Sequence, residues 1–104
     1  MLHMYTLYRT AEFDTWLSHL KDLKGKAKIL ARFKRAELGN FGDSEPIGDG
    51  LSEMRIDFGP GYRVYYGREG TITYLLICGG DKSTQKADIK RAKEMWATIK
   101  KESS

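Results

Sequence analysis

Apolar and polar positions along the chain change their period three times. Met4–Arg9 suits an extended strand, with Tyr5, Thr6 and Tyr8 as its strand-forming residues. From Ala11 to Lys24 the spacing becomes helical. Phe13, Trp16, Leu17, Leu20 and Leu23 fall on one face, which makes Trp16 a core residue. Gly25 breaks that pattern. Lys26–Leu38 predicts a second helix, with Ala27, Leu30, Ala31 and Phe33 available for packing and Lys or Arg at most other positions. Gly39 sits just past its end, where a left-handed cap is common. Two helices joined by a tight break form a helical hairpin.

Asn40–Gly50 reads as a loop rich in Gly, Asp, Ser, Glu and Pro. After it the period falls to two, and Leu51–Phe58, Gly61–Gly67 and Thr71–Cys78 read as strands. Phe58-Gly59-Pro60-Gly61 and Gly67-Arg68-Glu69-Gly70 are turns, so the three strands form an antiparallel meander. Gly79-Gly80 ends the last strand. Asp81 or Ser83 caps a final helix that runs to about Lys101, with Ile89, Ala92, Trp96 and Ile99 as its apolar stripe. The order β-α-α-β-β-β-α predicts a two-layer α+β domain with an antiparallel sheet. Residues 1–104 are expected to make a single domain.

Composition narrows the function classes. Hydrophobic residues make up 40% of the 104 residues, enough for one core. The net charge of +4 is unevenly placed. Lys21–Arg35 holds seven basic residues against Asp22, and Lys82–Lys101 holds seven against Asp88 and Glu94. Such surfaces favour a polyanionic partner, although most Lys-rich helices are only solvated faces. The single cysteine, Cys78, lies in an apolar run and reads as a buried small hydrophobe. His3 and His19 are not at ligand spacing, so neither a metal nor another cofactor is expected. No apolar run reaches membrane-helix length and no leader pattern is visible, which predicts a cytoplasmic protein with no membrane contact.

Strand alternation supplies the sharper signal. If Asp57 pairs with Gly61, Ile56 faces Tyr62 and Met54 faces Val64 on the apolar side. The same register sets Arg55 opposite Arg63 and Glu53 opposite Tyr65. Two arginines across a ladder repel, and a bound phosphate would reward them with planar, forked hydrogen bonds. The plainer reading is a solvated pair relieved by Glu53 or Asp57. Lys82, after Gly79-Gly80 at the start of a helix, adds charge near a helix N-terminus that can hold an anion.

Three motifs carry a resemblance. Leu51-Ser52-Glu53-Met54-Arg55-Ile56, Gly59-Pro60-Gly61-Tyr62-Arg63-Val64-Tyr65-Tyr66 and Leu76-Ile77-Cys78-Gly79-Gly80-Asp81-Lys82-Ser83-Thr84-Gln85 resemble, in that order, the addiction-module killer proteins. These are a branch of the RelE/HigB/ParE toxin superfamily. The resemblance implies a RelE/ParE-like fold and the toxin of a type II toxin–antitoxin pair. It further implies a metal-independent endoribonuclease that cuts ribosome-bound mRNA and is neutralised by a helix-turn-helix antitoxin. Arg63 matches the family's arginine after Gly-Tyr, Arg55 a basic residue on the preceding strand, and Lys82 one after the last strand. Glu53 stands where a second basic residue is expected. It is a candidate general base or an ion-pair partner that orients Arg55. Gln85 lies near the place of a family tyrosine. Tyr65, Gln85, Lys28, Arg32 and Arg35 are the candidate RNA contacts. Two other readings share the fold: a ParE-like poison of DNA gyrase, and a module that only binds an antitoxin.

Overall fold

A computed structural model describes residues 4–103, so His3 lies outside the described residues. Strand β1 (Thr6–Arg9) leads into helices α1 (Ala11–His19) and α2 (Leu23–Glu37). Four strands follow: β2 (Ser44–Gly48), β3 (Leu51–Ile56), β4 (Tyr62–Glu69) and β5 (Thr73–Asp81). A 3₁₀ turn (Lys82–Thr84) then runs into helix α3 (Gln85–Ser103). The class is α+β, with one five-stranded sheet in the order β1-β5-β4-β3-β2. The sheet is mixed and not antiparallel throughout, because β1 runs parallel to β5. The N-terminal strand joins the sheet beside the last one, and the Thr10 hydroxyl fixes it there by donating to the Ile77 carbonyl at 2.6 Å.

The helical hairpin is present, but its break lies three residues before Gly25. Asp22 caps α2 by accepting the Gly25 N–H at 3.0 Å, so α2 begins at Leu23. Gly25 therefore lies inside the helix. A Cβ on it would stand 2.5 Å from the Asp22 carboxylate and 2.6 Å from the Tyr62 ring. Leu23, assigned to the first apolar face, is exposed. On α2 the buried set is Ile29, Phe33 and Ala36, whereas Ala27 and Ala31 are exposed.

The region read as a loop contains β2, which pairs with β3 as an edge strand. Its Pro46 and terminal Gly48 hide it from a propensity reading, yet proline is tolerated at sheet edges. The register of β3 with β4 is the expected one: Ile56 faces Tyr62, Met54 faces Val64, Arg55 faces Arg63 and Glu53 faces Tyr65.

Two buried clusters lie on opposite faces of the sheet. Phe13, Ile29, Phe33, Met54 and Val64 pack beneath the hairpin. Leu51, Tyr65, Ile77, Ala92 and Trp96 pack beneath α3. The domain thus has three layers, not two. The face carrying Glu53 and Arg63 is not open, since α3 covers its β5 and β4 side.

Gly79-Gly80 does not end β5. The strand continues through it, pairing Gly79 with Val64 and Gly80 with Arg63. Successive residues point to opposite faces. A Cβ on Gly79 would stand 2.5 Å from the Trp16 ring of α1, and one on Gly80 would collide with the Asp88 carboxylate of α3. Asp81 caps the 3₁₀ turn, accepting the Ser83 N–H at 2.8 Å. Cys78 is buried, and burial pushes its thiol up to about 12. Among the described residues no helix is long and apolar enough to cross a membrane.

Gly79→Ala should cost about 1–3 kcal/mol in urea unfolding, because the ring of Trp16 must move. Gly70→Ala has open space around it and only a left-handed φ of 78° to strain, so about 1 kcal/mol is expected. Equal losses at the two positions would refute the packing account.

The Tyr62 hydroxyl donates to Asp22 at 2.7 Å and, with the Gly25 N–H, holds that carboxyl below the usual carboxylate range. A group depressed in the folded state stabilises it above the unfolded pKa, and that contribution is lost as pH falls through the folded value. The melting temperature should therefore hold from pH 7 to about 5 and drop below about pH 4. Asp22→Asn should flatten that drop, as read by circular dichroism.

Candidate functional site

At the end of the sheet where β3 turns into β4, the predicted residues divide into two groups. Arg55 is drawn toward the edge strand. Its guanidinium donates to Asp43 at 2.7 and 3.2 Å and pairs with Glu45 at 3.0 Å, and these carboxylates raise its pKa. Arg55 also holds Asp43 below the usual carboxylate range. The repulsion across the ladder is thus relieved from β2, by residues the sequence reading left in a loop. Glu53 relieves it from the other side through its ion pair with Arg63, while Asp57 makes no ion pair among the described residues.

Arg63 has a different environment. Its side chain is 12% exposed, and Nε lies 3.9 Å from Glu53 Oε1, beyond hydrogen-bond reach. Nε is buried with no hydrogen-bond partner among the described residues, and Nη1 makes only a 3.5 Å contact with the Tyr62 carbonyl. An underbonded guanidinium in a partly dry site is a strong anion donor, because buried donors are costly to leave unpaired. The Lys82 side chain starts from the same place. A Cβ on Gly61 would stand 3.4 Å from Lys82 Cβ and 3.7 Å from Arg63 Nη1. Gly61 lies between the base of the Lys82 side chain and the Arg63 guanidinium, and Lys82 itself is exposed.

Glu53 is 3% exposed. Its Oε2 accepts the Gln85 amide at 2.8 Å, which ties β3 to the first residue of α3. A carboxylate so enclosed orients Arg63 and cannot approach a substrate hydroxyl, so the general-base role does not suit it. Nor does it orient Arg55. Tyr65 is fully buried beside Glu53, and burial first, then that carboxylate, raises its phenol. Its hydroxyl lacks a geometrically sound hydrogen bond. A ring enclosed in this way offers no stacking surface, so Tyr65 is not an RNA contact. Gln85 has its amide engaged by Glu53.

The remaining RNA candidates lie on the hairpin. Arg32 is buried, and its guanidinium donates to the carbonyls of Arg55, Phe41 and Asp43. It clamps α2 to β3 and to the segment before β2. With its donors engaged it is not a surface phosphate contact, and burial lowers its pKa. Lys28 and Arg35 are exposed, and Lys28 lies 5.7 Å from the Phe58 ring. They belong to the face opposite Glu53 and Gln85. A depression of about 530 Å³ on the hairpin, lined in part by Arg9, Asp14 and Lys26, holds none of the predicted residues. His19 is exposed, and among the described residues no three His, Cys, Asp or Glu side chains cluster to hold a metal.

Glu53→Ala leaves Arg63 mostly buried without its counter-charge and should destabilise the domain by about 3 kcal/mol. Asp43→Ala breaks an exposed pair and should cost less than about 1 kcal/mol. Chemical denaturation of both variants checks the contrast, which is lost if Asp43→Ala proves the costlier.

No protein-family model matches the chain. An uncharacterized protein of Haemophilus influenzae (strain ATCC 51907 / DSM 11121 / KW20 / Rd) is 57% identical over 84 residues, which cover 81% of this chain and 85% of the relative. At that identity and coverage, the chain belongs to the same family as this Haemophilus influenzae protein.

Proposed function

We propose that the protein is the toxin of a type II toxin–antitoxin pair, an endoribonuclease that cuts mRNA on the ribosome. The observation that carries this reading is the underbonded Arg63 guanidinium, with the base of the Lys82 side chain beside it across Gly61. The two cations suit a phosphate that gains charge as a bond to it forms. In the proposed reaction a ribose 2′-hydroxyl gives its proton to water as its oxygen attacks the adjacent phosphorus, and the 5′-oxygen of the next nucleotide leaves and takes a proton from water. Arg63 stabilises the equatorial oxygens and Lys82 supports the charge on the departing oxygen. Glu53 and Gln85 act through Arg63 as positioning residues. Arg55, held by Asp43 and Glu45, takes no part in the proposed step. A helix-turn-helix antitoxin is the proposed partner.

Arg63→Lys keeps the charge and loses the fork. It should reduce cleavage about 100-fold or more while shifting the melting temperature by only a few degrees. Mapping mRNA 5′ ends after a pulse of expression tests both the activity and the variant. New 5′ ends that vanish in Arg63→Lys are expected. DNA breaks with intact mRNA would replace this reading with gyrase poisoning, and no growth effect would leave only antitoxin binding.

A further inference from the structure

The lysines of α3 are sorted by flank. Lys86, Lys90, Lys93 and Lys100 recur at spacings of four, three and seven, which keeps them on one side of the helix. None of them is paired with a carboxylate among the described residues. The other flank differs: Arg91 there is bound to Glu12 of α1 at 2.7 Å. The lysine flank faces the β2–β3 turn, since Lys93 Nζ lies 3.5 Å from where Gly48 would carry a Cβ. It begins beside Gln85 and Lys82 at the site described above. It ends at a cavity of about 350 Å³ lined by Asp49, Gly50, Lys93, Trp96, Ala97 and Lys100.

That cavity holds a second underbonded donor. Trp96 is 5% exposed, and its indole N–H is buried with no partner among the described residues. A Cβ on Gly50 would stand 3.6 Å from the indole nitrogen, so the glycine turn passes beside it. The turn runs through positive φ at Gly48, Asp49 and Gly50, a path that its two glycines adopt freely. Lys100 Nζ lies 5.8 Å from the Trp96 ring. Buried indole N–H groups are normally bonded, and an acceptor oxygen between two ammonium groups would complete this one.

We propose that this flank of α3 is a phosphate track with a second anion subsite at Trp96, which holds the backbone of the same single RNA strand that Arg63 engages. The proposal rests on the RNA reading above. From Gln85 to Trp96 is eleven residues, about 16 Å at about 1.5 Å per residue. The track therefore contacts nucleotides removed from the cut. Among the described residues no aromatic ring is open for stacking along it, because Trp96 and Tyr65 are buried. It reads backbone charge and not base identity.

The test uses the full chain and a labelled ten-nucleotide RNA, followed by fluorescence anisotropy across a salt series. Each single-strand phosphate contact contributes about 0.7 to the slope of log affinity against log salt. Lys86→Gln, Lys90→Gln, Lys93→Gln and Lys100→Gln combined should lower that slope by about 2 to 3 with the melting curve unchanged. In an NMR titration the Trp96 indole N–H signal should move and the Trp16 signal should stay. An unchanged slope, a Trp96 signal that stays put at saturation, absence of RNA binding, or preference for duplex DNA of equal length would each overturn the track. Wild-type protein that cuts mRNA with an unchanged slope removes the track alone. Wild-type protein that binds through α3 without cutting removes the nuclease reading and leaves the track.

Discussion

Both helical layers close on one dipeptide. Gly79 and Gly80 stand in β5, one side-chain position on each face of the sheet. The Trp16 ring fills the first and the Asp88 carboxylate, with the Thr84 hydroxyl, fills the second. The three-layer arrangement depends on these two absent side chains. Had either glycine a Cβ, α1 or α3 would be lifted from the strand that bonds to both β1 and β4. The approach of α3 also sets the site, since Gln85 at its start reaches Glu53, and Glu53 faces Arg63. A packing constraint on one strand thus fixes the geometry of a charged cluster on its neighbours.

The arginine pair shows how a repulsive register is resolved. Arg55 and Arg63 lie opposite each other, as strand alternation requires. The sheet answers by giving them unequal partners. Arg55 takes two exposed carboxylates from the β2 side in close contact, whereas Arg63 takes one buried carboxylate at a longer distance. Arg55 spends its Nε and Nη2 donors on those carboxylates, whereas Arg63 Nε has no hydrogen-bond partner among the described residues. A site that must bind an added anion needs that asymmetry, because a fully paired guanidinium has nothing left to offer.

Much of this was legible in the sequence where the period was strong. The β3–β4 register followed from alternation with Asp57 set against Gly61, and of the α3 stripe Ala92 and Trp96 are buried and Ile89 and Ile99 partly so. Other parts depended on contacts between distant residues. The break between α1 and α2 moved because Asp22 is a better cap than Gly25 is a breaker. Gly25 is there to make room for Tyr62. β2 was invisible because an edge strand can carry Pro46. The parallel pairing of β1 leaves no local signature at all. At the site, alternation placed Arg55, Arg63 and Glu53 on one face but could not say which carboxylate each arginine would take. Arg32 looked like its neighbours on a basic helix, and only the fold shows that its guanidinium faces inward. The indole N–H of Trp96 was equally silent, since its spacing spoke only of core.

The position of β1 has a consequence for the order of assembly. β2 to β5 form a run of hairpins whose partners are close in sequence, while β1 must wait for residues 73–76, almost seventy positions later. Contacts across such a distance form slowly, because a long loop must close before they return any free energy. During synthesis the N-terminal strand and its helical hairpin emerge first and have no sheet to pack against. The domain therefore stays incomplete until β5 has cleared the ribosome, and only then can Trp16 find the glycine that receives it.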